Sequence, residues 1–171
     1  MAAWEDLFVR IRECVLGTFT QQIIQYEEDC RRLEQQRNIV GWNYCQFFTL
    51  KETLTATYCL ASLDDEALLH YDELEALFNQ TLIEQGAPWF RTFGGTAEKD
   101  DSKDFLTFST KGYKELIVQN SISIFDFKMY LFAKQASLLM GLGQPNEVCK
   151  RAKSFIASLG ASLDEYRVLN C

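Results

Sequence analysis

The sequence predicts an all-α fold in which antiparallel helix hairpins stack as an α-solenoid fragment, with one irregular insertion. Three observations lead to this prediction. Apolar residues recur every three or four positions over most of the 171 residues, which is the spacing of one face of an α-helix. Turn and capping signals separate these periodic stretches. Apolar residues also make up 47% of the chain, enough to exclude disorder and to build one ordinary domain.

The first predicted helix is long and covers residues 4–37. Its apolar positions advance by about 3.6 residues, the helical period held without drift. They are Trp4, Phe8, Ile11, Val15, Phe19, Ile23, Tyr26, Cys30 and Leu33. Gly41 then supplies a turn, because glycine adopts turn conformations easily. We therefore expect a helix of roughly 50 Å at 1.5 Å per residue.

A helix hairpin is predicted over residues 43–85. Ser62 or Asp64 can cap its second helix at the N-terminus. Gly86 and Pro88 end that helix, because neither residue continues a helical pattern well. Since the turn between the two helices is so short, the helices must pack antiparallel.

Three residues of this hairpin match a tetratricopeptide repeat unit. Tyr58 precedes Ala67 and Tyr71 follows it at the repeat's spacing. A small residue at the crossing lets the two helix backbones approach closely. A second hairpin, predicted over residues 123–159, matches less well and has Leu139 at the tyrosine position. We expect the two hairpins to stack in a tetratricopeptide-like manner.

Residues 86–122 form the predicted irregular insertion, since they keep no sustained period of either kind. A short strand over residues 105–110 is the regular element expected there. Three large aromatics, Trp89, Phe90 and Phe93, stand close together in this segment. Aromatic residues are favoured as interface anchors, so these three are candidate protein-interaction residues. The alternative is that they fold back and fill the protein's own groove.

The end of the sequence predicts one more helix. Ser123 and Asp126 have capping-box spacing at the start of the second hairpin, and Ser162 and Glu165 repeat that pattern near the end. Gly160 lies between them and is expected to end the hairpin. A further helix is therefore predicted to start over residues 162–171. We expect the chain to be a piece of a longer helical array, because terminal repeats normally carry a polar cap.

The charge balance favours protein partners. The chain has 17 Lys and Arg against 24 Asp and Glu, a formal net charge of −7. Nucleic acid and anionic membrane surfaces attract basic faces, so neither is an expected partner. No apolar run is long enough to predict a transmembrane segment. Seven of the acids and no Lys or Arg fall within residues 64–85, which predicts a solvated outer helix face or a surface for a basic partner. Asp72, Glu73 and Glu75 are its candidate interaction residues.

The sequence offers little for catalysis, metal binding or a cofactor. The six cysteines contain no Cys-x-x-Cys pair, so they predict buried thiols in a reducing compartment. His70 is the single histidine and is expected on a surface or groove, because no second imidazole can join it on a metal. No phosphate-binding loop or nucleophile motif occurs either. We therefore expect no enzymatic activity.

Several stretches together resemble the large subunit family specific to the transport protein particle (TRAPP) II complex, the subunit ten family. They are FFTLKETL at 47–54, YDELEALF at 71–78 and YLFAKQA at 130–136. They are similar to that family's middle region, and the start of the chain resembles its plant forms. The resemblance implies a solenoid segment of a cytoplasmic tether at the Golgi and trans-Golgi network. It implies partnership with other TRAPP subunits and, indirectly, with Rab-type GTPases, whose nucleotide exchange the small core subunits promote.

Two functions follow as hypotheses. The first is a noncatalytic scaffold segment of such a tethering complex, in which apolar surface is buried against neighbouring subunits. The second is a tetratricopeptide-like adaptor that captures a peptide in its concave groove. A groove lined by Asn, Lys and Arg would favour the adaptor.

Overall fold

The computed structural model describes residues 2–85, 89–90 and 112–169. Helices account for the regular structure of these ranges: α1 Ala2–Gln35, α2 Tyr44–Leu60, α3 Asp64–Gln85, α4 Tyr113–Val118, α5 Ile124–Gly141 and α6 Pro145–Leu169. No strand occurs within the described ranges, and the all-α prediction is confirmed. The strand expected over residues 105–110 lies outside them. None of the described helices is long and apolar enough to cross a membrane.

Helix α4 lies in the segment predicted to be irregular, so that prediction is wrong for residues 113–118. The helix has six residues, too few to show a helical period in the sequence. Its Ile117 is 1% exposed and belongs to the core. Tertiary packing of this side chain, and not a local pattern, therefore accounts for α4.

The helix break expected at Gly160 is also wrong, because α6 continues to Leu169 without the predicted restart at Ser162. Glycine within a helix costs only about 1 kcal/mol relative to alanine, which a long helix tolerates. Gly143 behaves differently, with a φ of +71° in the turn between α5 and α6. There Gln144 N donates to Leu139 O at 2.8 Å and closes the end of α5.

The helices pack mainly in chain order. α1 packs on α2, α2 on α3, α3 on α5 and α5 on α6, and α4 contacts both α2 and α5. Side-chain caps fix two of the helix starts. Asn43 accepts a hydrogen bond from Cys45 N at 2.8 Å, and Ser123 accepts one from Asp126 N at 3.0 Å. This succession places the middle of the fold at α2, α3 and α5.

The core at that place is strongly aromatic. Its rings are Tyr44, Phe48, Phe78 and Phe127, each at most 1% exposed. Phe127 of α5 lies 4.6 Å from Phe78 of α3 and 4.9 Å from Phe48 of α2, measured between ring centroids. The buried Tyr44 hydroxyl donates to Leu74 O at 2.8 Å, which satisfies its polar end. Three helices therefore share one set of ring contacts.

Helix α1 packs along only part of its length. Ile23, Tyr26 and Leu33 lie against the core, as does the buried Cys30. Tyr58, near the end of α2, donates to Glu27 at 2.7 Å, which ties the C-terminal part of α2 to the packed part of α1. The side chains from Trp4 to Leu16 lie beyond that point, and their large apolar members are exposed.

Candidate functional site

The candidate site is a groove of about 470 Å³ bounded by α3, α5 and α6. Its apolar lining consists of Phe78, Leu131, Phe132 and Phe155. Phe132 and Phe155 stack with ring centroids 4.7 Å apart, which holds α6 against α5. Its charged lining consists of Asp72, Glu75, Lys128, Glu147, Lys150 and Arg151. The groove thus combines an aromatic floor with a charged rim.

Two acids of α3 face into this groove. Asp72 accepts two hydrogen bonds from the Arg151 guanidinium, with Nη2 2.9 Å from Oδ2. Gln135 of α5 donates to Asp72 Oδ1 at 2.9 Å and to Glu75 Oε2 at 2.8 Å. The hydrogen bond to Asp72 raises the pKa of Arg151 above its ordinary value. Asp72 therefore accepts hydrogen bonds from both α5 and α6.

Lys128 of α5 brings a cation into the same groove. Burial lowers the pKa of its amine, and the negative charge of Glu75 partly offsets that shift. Lys150 lies on the rim and pairs with Glu147 at 3.2 Å within α6. Asn79 of α3 lines the groove as well. The groove can therefore offer both cationic and amide groups to a ligand.

Glu73 points in a different direction, toward α2. It accepts a hydrogen bond from Lys51 Nζ at 2.6 Å and lies 3.3 Å from His70 Nδ1. Burial disfavours the charged carboxylate, but Lys51 and His70 together outweigh burial, and the pKa of Glu73 is lowered. The His70 ring lies 5.1 Å from the Tyr58 ring, so His70 is a packed side chain at the α2–α3 contact.

Three acids of the expected solvated face of α3 are thus divided between two contacts. Asp72 and Glu75 face α5 and α6, whereas Glu73 faces α2. The helical spacing of residues in the sequence cannot show this division. It identifies which residues share a face of α3, but not which other helix lies against that face. The role of these three acids as partner contacts stays a prediction.

Two of the three candidate aromatics of the insertion, Trp89 and Phe90, fold back onto the core. Phe90 is 9% exposed, with its ring 5.1 Å from Phe127 and 5.2 Å from Phe78. Phe90 is therefore buried and not an exposed anchor. It folds back, as the alternative expects, but it packs in the core and not in a groove. Trp89 is half-buried and packs edge-on against Trp42, with the two ring centroids 5.6 Å apart. Phe93 lies outside the described residues.

A buried carboxylate on α2 escaped the sequence analysis. Glu52 is 5% exposed and accepts hydrogen bonds from Tyr71 of α3 at 3.4 Å and from Tyr130 of α5. Lys114 of α4 lies 3.8 Å from its other oxygen. Burial and the Glu52 charge raise the pKa of Tyr130 well above its ordinary value. The signal for this cluster was the charged pair Lys51 and Glu52 within a stretch, residues 47–54, that also supplies apolar residues to the core.

No group of three or more metal-ligating side chains occurs in the part of the chain that the structure describes. The chemistry that these residues support is recognition through charge pairs and aromatic contacts.

Comparison with known proteins gives relatives over nearly the whole chain. The trafficking protein particle complex II-specific subunit 130 homolog of Arabidopsis thaliana is 38% identical over 160 residues, 94% of this chain and 12% of the relative. Trafficking protein particle complex subunit 10 is 34% identical over 167 residues in Dictyostelium discoideum, 95% of this chain and 11% of that protein. The Homo sapiens subunit 10 is 29% identical over 154 residues, 88% of this chain and 12% of that protein.

The chain therefore spans only about an eighth of the length of the curated relatives it matches. No family model matches the sequence. No solved structure matches it either.

Proposed function

Because the chain belongs, over 94% of its own length, to the family of the TRAPP II-specific subunit 130 homologs and TRAPP complex subunit 10, we propose that it is a noncatalytic scaffold segment of a vesicle-tethering complex. The complex promotes nucleotide exchange on Rab-type GTPases, and the exchange surface lies on other subunits. The segment binds other TRAPP subunits and works in the cytoplasm, peripherally attached to Golgi and trans-Golgi membranes through the complex.

The serial packing of the helices supports this role. The packing runs from α1 to α2, from α2 to α3, from α3 to α5 and from α5 to α6. Such serial packing is the arrangement expected of a tetratricopeptide-like solenoid. A solenoid contacts partners along an extended surface. Here that surface includes large exposed apolar side chains, such as Leu69, Ile83 and Ile156. Exposed apolar patches commonly mark protein interfaces.

A nucleotide-exchange assay tests the absence of catalysis. Release of a fluorescent guanine nucleotide from a Rab-type GTPase is followed with the purified chain, with TRAPP core subunits, and with both. We expect the chain alone to leave the spontaneous release rate unchanged. Exchange accelerated by the chain alone would contradict the proposal.

A pull-down of core subunits tests the scaffold role. The immobilised chain should retain at least one TRAPP subunit, and the Trp89→Ala variant shows whether the insertion contributes. Leu60→Ala is the control, because Leu60 is 77% exposed at the end of α2 and not in the insertion. Phe90→Ala is unsuitable as a contact probe, since it removes a core side chain. Retention of no subunit by the folded chain would reject the scaffold role.

A second function, capture of a peptide, is favoured by the groove between α3, α5 and α6. Asn79, Lys128, Lys150 and Arg151 line it above an aromatic floor, and groups of this kind hold the backbone and carboxylates of an extended peptide. An array of overlapping 15-residue peptides from the TRAPP subunits provides the probes. Lys128→Ala should weaken binding of any selected peptide, whereas Lys153→Ala, which changes an exposed α6 residue outside the groove, should not. Equal binding by both variants would exclude the groove.

A further inference from the structure

The first half of α1 carries an apolar stripe that the described part of the chain leaves uncovered. Trp4 is 68% exposed, Phe8 65%, Ile11 50% and Val15 48%. Steps of four, three and four residues separate these positions, as at successive a and d positions of a coiled coil. The same helix packs through Ile23 and later residues on the core, so the uncovered stripe is the part that lies beyond α2.

Opposite charges flank this stripe. Asp6 and Arg10 pair with each other at 3.2 Å along the helix. Glu5 and Arg12 each follow a d-position residue directly, and both therefore occupy e positions beside the stripe. The ion pairs found among the described residues include neither of them. The stripe thus has a negative charge near one end and a positive charge near the other.

We propose that a second copy of this chain covers the stripe, with the two α1 helices antiparallel about a two-fold axis. In this register Trp4 faces the partner's Val15, and Phe8 faces the partner's Ile11. Glu5 then lies beside the partner's Arg12, and the two-fold axis repeats each contact. The same contact between the two copies thereby buries the apolar stripe and pairs the charges that flank it.

The antiparallel direction follows from the same residues. In a parallel pair Trp4 would meet its own copy and e positions would face g positions. Arg12 would then lie beside the partner's Leu7, and its charge would gain no partner. In the antiparallel pair each large ring meets an aliphatic side chain, and each Arg12 meets a Glu5. Charge and side-chain size therefore select one direction.

We expect the two copies to associate weakly, because the apolar stripe is short. Twelve residues of helix extend about 18 Å, and such a contact is smaller than the interface of about 1,600 Å² that typical stable complexes form. We expect a concentration-dependent dimer with a Kd of about 10–100 μM. The dimer is therefore detectable with the purified chain at concentrations above that range.

Sedimentation equilibrium of the purified chain from 1 to about 500 μM tests the pairing. The wild-type molar mass should rise from that of one chain toward that of two. Phe8→Asp should weaken association at least tenfold. Val9→Asp is the matched control, because Val9 is 53% exposed next to Phe8 but off the stripe, and it should associate like wild type. A monomeric wild-type chain at 500 μM, or equal loss in both variants, would overturn the proposal. Circular dichroism checks that both variants keep their helices.

A charge exchange tests the register. Glu5→Arg and Arg12→Glu should each weaken dimerisation about fivefold, because each places like charges opposite one another. The double variant should return to within about twofold of wild type. Failure of the double variant to recover would overturn the Glu5–Arg12 contact.

A disulfide trap tests the direction. In the antiparallel register position 7 faces the partner's Cys14, and Cys14 is exposed. Leu7→Cys should give a disulfide-linked dimer with a peptide joining positions 7 and 14, identified by mass spectrometry. Adding Cys14→Ser should abolish that linkage. A different linkage as the main product, such as one between the two copies of Cys14, would contradict the antiparallel register and overturn the proposal.

Discussion

Arg151 of α6 and Asp72 of α3 form a two-point ion pair, although the two helices do not pack on each other in the described structure. Nη2 of Arg151 lies 2.9 Å from Oδ2, and Nη1 contacts Oδ1. Both helices pack on α5 instead, whose Gln135 donates to the same carboxylate at 2.9 Å. The ion pair therefore links α3 and α6, the two helices that flank α5 along the groove.

Arg151→Ala should lower the free energy of unfolding by about 1–2 kcal/mol. Two charge-assisted hydrogen bonds are lost, but Asp72 remains 36% exposed and water compensates part of that loss. Arg151→Lys should restore less than half, since an ammonium group cannot reproduce the planar two-point contact. Urea unfolding measures both. Lys150→Ala is the control and should change stability by no more than about 0.5 kcal/mol, because Lys150 is 75% exposed. Equal losses of unfolding free energy in Arg151→Ala and Lys150→Ala would show that the Arg151–Asp72 pair adds no stability beyond that of an exposed charge.

Phe90→Ala should destabilise the fold by about 3 kcal/mol, the ordinary cost of removing a buried phenyl ring. Phe90 is 9% exposed and lies among Tyr44, Phe78 and Phe127. Trp89→Ala should cost less, about 1 kcal/mol, because the half-buried Trp89 ring packs on the core from one side. Denaturant midpoints at constant slope compare the two variants. A larger loss for Trp89 would mean that Phe90 is not the residue that anchors this segment.

The fold should lose stability in alkali through its buried thiols. Burial raises the pKa of Cys30 from 9.0 to about 11 and that of Cys45 from 9.0 to about 12. Above pH 9 the unfolded chain releases these protons while the folded chain keeps them. This contribution is therefore complete below pH 9 and declines as the pH rises through the folded pKa values.

Urea titrations between pH 8 and pH 10.5 check this decline. Cys45→Ala should reduce the wild-type loss of stability over that range by about 2 kcal/mol. Cys14→Ala, which changes an exposed cysteine, is the control substitution. The same slope in wild type and Cys45→Ala would exclude Cys45 as a source of the effect.

Two glycines of similar sequence setting should respond oppositely to alanine. Gly160→Ala should stabilise the protein by about 0.5–1 kcal/mol, because Gly160 lies within α6 and no atom lies within 4 Å of the added Cβ. Gly143→Ala should destabilise it by about 1 kcal/mol, because its φ of +71° is costly for alanine. Thermal melts of the two variants measure the difference. A stabilising Gly143→Ala would show that the turn does not require the left-handed conformation.

The longer helices could be predicted because their cause is local. α3 was predicted over residues 64–85 and runs from Asp64 to Gln85; apolar side chains every three or four residues define it. The capping residue Ser123 could also be identified, since its hydrogen bond to Asp126 N spans three positions. Gly160 misled the prediction, because a glycine becomes a helix end only when the surrounding backbone turns there.

The candidate site was less predictable, because its parts are distant in the chain. Asp72 was identified as a candidate from its charge, but its partner Arg151 lies 79 positions away. Glu52 was overlooked, since Tyr130, the residue that makes its burial tolerable, is 78 positions away. A carboxylate in an apolar stretch becomes stable only when hydroxyl or cationic partners surround it.

By itself the sequence determined the all-helical class, the places of the long helices and the family, because helical period and local motifs are properties of neighbouring residues. Only the tertiary structure decided that Phe90 belongs to the core, that α4 exists, and that the acids of α3 divide between α2 and the groove. Those outcomes depend on which distant side chains meet across helix contacts. For the uncovered stripe on α1 both were needed. The sequence shows the helical spacing of its apolar residues, whereas only the tertiary structure shows that α2 does not cover them.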